Sequence, residues 1–90
     1  MMLIGAAVLE DYGARRPQTS STLRALSALI RHSTWTSNAD LARSCGAVMR
    51  LNNESMALLE LREAGCEVTL KINYDLGVVS VIAAKDLQKD

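Results

Sequence analysis

The sequence predicts an α+β fold of three helices followed by a β-hairpin, on three observations. Apolar residues recur with helical period over 22–32, where Leu23, Leu26 and Ile30 stand at i, i+3 and i+7 beside Leu29. Ser37 and Asp40 form S-x-x-D, the spacing of a capped helix start, and Gly46 follows where a short helix would stop. Past Gly65 the texture changes to the β-branched runs CEVTLKI and VVSVIAA, which flank the turn-forming NYDLG.

The elements follow in order. The opening MMLIGAAVL is too short to span a bilayer, lacks a basic leader and a small-residue cleavage site, and runs into Glu10 and Asp11. It reads as a first strand or helix, or as a contact in a homodimer. Gly, Pro, two Arg and a polar cluster make YGARRPQTSS, Tyr12 to Ser21, a loop or linker. The domain is therefore expected over 22–84, with an N-terminal segment and linker over 1–21 and a tail over 85–90.

Within the domain, TLRALSALIRH is an amphipathic helix with a hydroxyl cap, its Arg24 and Arg31 on a face other than the apolar one. The second helix begins after Ser37 and carries Leu41, Ala42 and Cys45 as its apolar stripe. AVMRLNN turns the chain, Asn52 or Asn53 caps the next helix, and ESMALLELREA forms that third helix until Gly65 stops it.

Composition narrows the function classes. Ninety residues, 49% of them hydrophobic, make one domain able to bury roughly two thirds of its unfolded surface. The net charge is zero and the pI 6.6, which argues against coating nucleic acid by bulk electrostatics. The charge is unevenly placed: residues 1–50 carry six Arg against Glu10, Asp11 and Asp40, and residues 51–90 carry four basic against seven acidic groups. An anion-binding face belongs in the first half.

Cys45 and Cys66 form no CxxC, and with one His in the chain a four-ligand zinc site has no support. They read as reduced, packed cysteines, which suits a cytoplasmic protein. The five Gly are scattered and form no phosphate-cradling loop, and no nucleophile, base and orienting group stand together around His32. The expectation is a non-enzyme without cofactor or metal.

The order of elements and two stretches of residues resemble the winged helix-turn-helix family. WTSNADLARSCGAV is similar to its second helix and turn, through the capping hydroxyl, Asp40, Leu41, Ala42 and Gly46. LLELREAGCEV is similar to the end of its recognition helix and the exit into the wing, through Leu58, Leu61, Arg62, Ala64 and Gly65. The resemblance implies a transcriptional regulator of bacterial or phage type whose third helix enters the major groove of double-stranded DNA.

The contacts it implies are Arg43 and Arg50 to phosphates, Asn52, Asn53 and Ser55 to base edges, Arg62 on the recognition helix, and Lys71 and Asn73 from the wing. Arg15 and Arg16 would be a basic arm or an ordinary linker, and Trp35 a core or edge anchor. The chain departs from the family in two respects: the span from Gly46 to Gly65 is about two residues longer than in familiar members, and the third helix would carry Glu54, Glu60, Glu63 and Glu67 against Arg62. Such a helix, acidic and partly apolar, favours an alternative partner, another protein.

Overall fold

The computed structural model of the chain describes residues 1–45, 48–53 and 56–87, with the backbone alone for 45 and 48–53. Its elements are β1 (Met2–Ile4), α1 (Ala6–Arg15), a 3-10 turn (Pro17–Thr19), α2 (Ser20–His32), α3 (Asn38–Cys45), β2 (Val48–Asn53), β3 (Met56–Leu61), β4 (Cys66–Asn73) and β5 (Val78–Asp86). The strands form one sheet in the order β1-β5-β4-β3-β2, in which β1 runs parallel to β5 and the other neighbours are antiparallel.

This corrects the winged helix-turn-helix expectation. The third helix is absent from its place: ESMALLELREA supplies β3, which pairs with β2 on one side and β4 on the other. The β4–β5 hairpin around NYDLG lies within the five-stranded sheet, with β1 and β3 as its flanking strands, so it does not project as a wing. Met, Ala, Leu and Glu favour helices when local preference decides, and β3 carries apolar residues on both faces, Met56 and Leu58 on one and Ala57 and Leu59 on the other, so its sequence shows no alternation. In β3 the alternation survives as burial: Ala57 and Leu59 are 1% and 0% exposed, and Met56 and Leu58 are half-buried.

The N-terminal part contributes to the same core. Leu9 and Tyr12 of α1 pack with Leu23, Leu26 and Ile30 of α2, Trp35, and Leu41 of α3 against Val68, Leu70, Ile72, Val79 and Val81. All three helices therefore cover one face of the sheet. The stretch Tyr12–Ser21, expected as a linker, holds the end of α1 and the 3-10 turn, whose Pro17 opens it because its missing N–H costs nothing there. Gly13 is compatible with α1 because it is buried where the helix meets Ser20 of α2.

Gly5 makes the passage from sheet to helix. It takes the left-handed conformation, φ +82°, and a Cβ there would lie 2.8 Å from the Val81 carbonyl oxygen of β5. Only glycine combines that backbone with that approach. Beside it, the Met1 nitrogen donates to the carbonyls of Ile30 (3.3 Å), Arg31 (3.2 Å) and Ser33 (2.6 Å), which places β1 at the C-terminal end of α2.

Candidate functional sites

Three places on the described surface combine shape with chemistry. The largest is a groove of about 600 Å³ between α1 and α2. Ala6, Glu10, Gly13 and Ala14 form its α1 wall at helical spacing, and Ser20, Arg24, Ser27, Ala28 and Arg31 its α2 wall. Leu9 and Leu23, both in the core, close the floor. The apolar stripe of α2 faces the sheet, so its other face is left to line this groove. Among the described residues, Glu10, Arg24 and Arg31 are exposed and engage no side-chain partner.

The second is a cleft of about 220 Å³ where the end of α1 meets the end of β5. The Tyr12 hydroxyl donates to Asp86 Oδ1 at 2.5 Å, and Arg16 donates to the same carboxylate through Nε at 3.1 Å and Nη2 at 2.8 Å. The Arg16 guanidinium first, and the tyrosine hydroxyl second, bring the Asp86 carboxyl down to about 2. Burial, reinforced by the carboxylate, pushes the Tyr12 phenol up to about 12. Every strong donor in the cluster is thus directed at Asp86, an arrangement that fastens helix to sheet and leaves no poised base or nucleophile. Burial likewise pushes up the Cys66 thiol beneath, which opposes thiolate chemistry.

The third is the face of the sheet away from the helices, which no described helix crosses. Its cross-strand rows run Met2, Val78, Asn73; Ile4, Ser80, Lys71, Met56; Ala83, Thr69, Leu58; and Lys85, Glu67, Glu60. In the last row Glu60 and Glu67 stand opposite each other, and each has its own cation: Arg62 at 3.5 Å and Lys85 at 3.0 Å. At the β1–β5 margin the character is apolar. Met2 is 64%, Ile4 50% and Ile82 51% exposed, with Ile82 at the bulge where the β4–β5 register shifts.

The residues singled out for DNA contact do not share one element. Arg43 lies exposed on α3 and pairs with Asp40, whose carboxyl is lowered mainly by bonds from the Thr36 N–H and hydroxyl. Ser37 accepts the Asp40 N–H at 3.3 Å and so caps α3. Arg50 and Asn53 lie on β2, in register with Leu58 and Met56, and Asn52 lies on the same strand. Ser55 lies outside the described residues. Arg62 follows β3 in a turn beside Glu60.

Lys71 is exposed on β4, and Asn73 at its end accepts the Leu76 N–H at 3.0 Å, which shapes the β4–β5 turn. The sheet thus gathers Lys71 and Asn73 near the β2 positions but leaves Arg43 on the helical layer. His32 and Arg43 share a polar hollow with Trp35, whose indole N–H donates to Ser44 at 2.9 Å. Sequence reasoning missed the groove that Glu10, Arg24 and Arg31 line, although the placement of both arginines on a face other than the apolar one was visible. Reading residues 12–21 as a linker removed the helix that completes the groove.

Among the described residues no three His, Cys, Asp or Glu side chains come together as a metal site. No described helix is long and apolar enough to cross a membrane. Comparison with protein-family models and with curated proteins finds no match to this chain.

Proposed function

We propose that the chain is a non-catalytic protein-interaction domain that associates with a second copy of itself through the apolar margin of the uncovered sheet face. The observation that supports this most is the exposure of Met2, Ile4 and Ile82, at least half for each, on two neighbouring strands. Large apolar side chains gathered in this way mark interaction surfaces, whereas isolated ones do not. A two-fold contact places the same patch on both sides, so an apolar patch is self-complementary. Zero net charge adds no long-range repulsion between copies.

Sedimentation over a wide concentration range tests the reading. A concentration-dependent dimer is expected, with Ile82→Lys and Ile4→Lys shifting it to monomer while the unfolding midpoint holds. A chain that stays monomeric at every concentration overturns it.

DNA binding is a second reading, now without a recognition helix. It is favoured by Arg24 and Arg31, which are exposed on the helical layer and without described side-chain partners, and by Arg15, exposed at the end of α1. Duplex DNA titrated at low salt would then bind with a steep salt slope. Neutral overall charge and the carboxylate of Glu10 beside Arg24 and Arg31 weigh against it.

A further inference from the structure

The groove between α1 and α2 lies on the helical layer, away from the apolar margin, and its chemistry is different. Its walls rise no higher than Ala, Gly and Ser except at three side chains, Glu10 on one side and Arg24 and Arg31 on the other. Low walls allow a third helix to approach closely, since interaxial distances follow the size of the residues at the contact. Arg24 and Arg31 are seven residues apart on α2, two helical turns or about 10.5 Å along the axis. They therefore present two positive charges on one line.

Both arginines and Glu10 lack ion-pair partners among the described residues, so the groove shows a charge pattern that nothing in the described chain satisfies. A helix lying in it meets two cations along one edge and an anion along the other. The matching pattern is two acids at i and i+7 on one flank, a base on the other and small residues between. Phosphate backbones match it less well, because Glu10 faces the same groove. A second copy does not supply it either: the acids on its α1, Glu10 and Asp11, are adjacent in sequence.

We propose that the groove docks an amphipathic helix of another protein, with small residues on its contact stripe, two acidic side chains seven residues apart opposite Arg24 and Arg31, and a basic side chain opposite Glu10. Together with the apolar margin on the sheet, this gives the domain two surfaces of different chemistry. The second surface does not depend on self-association.

The probe is a fluorescein-labelled, Ala-rich helical peptide with two Glu seven apart and a Lys on the opposite flank, titrated against the full chain by fluorescence anisotropy. Saturable binding is expected, weakened at least about tenfold by R24E/R31E. The same variant should gain binding to a peptide with Lys in place of the two Glu. Circular dichroism checks that the variant is folded, and I82K run in parallel should bind the acidic peptide like the parent. The proposal is overturned if the acidic peptide shows no saturable binding, or if charge reversal leaves its binding unchanged. It is equally overturned if a duplex DNA oligonucleotide binds and R24E/R31E abolishes that binding while the peptide does not bind.

Discussion

The two faces of the sheet are built from alternate residues of the same strands, yet one is a core and the other a surface. On the helix-covered face, Leu59, Val68, Leu70 and Val79 are 0% exposed, and Leu9, Leu23 and Ile30 come down onto them. On the other, the neighbours of those residues are Leu58, Thr69, Lys71 and Ser80, half-buried or exposed. A strand residue's environment is fixed by its parity, and a shift of one position would exchange the two sets. What remains unusual is the β1–β5 margin, where parity assigns Met2 and Ile4 to the uncovered side and the sequence keeps them apolar.

The largest test of this contrast uses adjacent leucines. Leu59→Ala removes a fully buried side chain beneath the helices and should cost about 2–5 kcal/mol in urea denaturation. Leu58→Ala, one residue away on the uncovered face, should cost less than about 1.5 kcal/mol. Equal losses would mean that both faces are sealed.

Next in size is Gly5→Ala, at the crossing from the sheet to the helical layer. The left-handed backbone penalises any Cβ, and the Val81 carbonyl leaves no room for one. A loss of about 2–3 kcal/mol is expected by thermal or chemical unfolding. Gly65 and Gly77 share the positive φ but have nothing within 4 Å, so alanine there should cost less. A harmless Gly5→Ala would show that β1 and α1 can move away from β5.

Smaller still is the effect of the apolar margin on stability. Ile82→Lys should change unfolding free energy by no more than about 0.5 kcal/mol, since Ile82 is already half exposed. Its effect should appear in sedimentation. A large loss of stability would assign Ile82 to the monomer's own packing.

These contrasts also explain what could be read from sequence. α2 was legible because one face of it is apolar and the other is not, and α3 because Ser37 and Asp40 form its cap. The strands around NYDLG were legible through their β-branched residues. β3 was not, because Ala57, Leu58, Leu59, Glu60 and Leu61 are all good helix formers and only their pairing with β2 and β4 makes them a strand. α1 was hidden by Gly13, which is buried against Ser20 of α2, and by the nearby Pro17, which opens the 3-10 turn after the helix. The sites followed the elements: the margin needs the β1–β5 pairing and the groove needs α1, so their residues were present but unassembled.

The finest test concerns the clasp that fastens the helical layer to the sheet at Tyr12, Arg16 and Asp86. Asp86 titrates at about 2 in the folded chain, below an ordinary aspartate, so its contribution is present above about pH 4 and is lost as pH falls toward 2. Tyr12 has the opposite sign. With its phenol at about 12, the folded state keeps the proton that the unfolded chain releases near pH 10, so stability falls as pH rises from 10 toward 12. Tyr12→Phe should remove the alkaline slope and keep much of the acid one, because Arg16 still holds Asp86. Asp86→Asn should remove the acid slope and shrink the alkaline one, since burial would still oppose Tyr12 ionisation but the Asp86 charge would not. Unfolding midpoints measured across both pH windows check this, and an unchanged alkaline slope in Tyr12→Phe would show that another group, not the clasp, couples the two layers to pH.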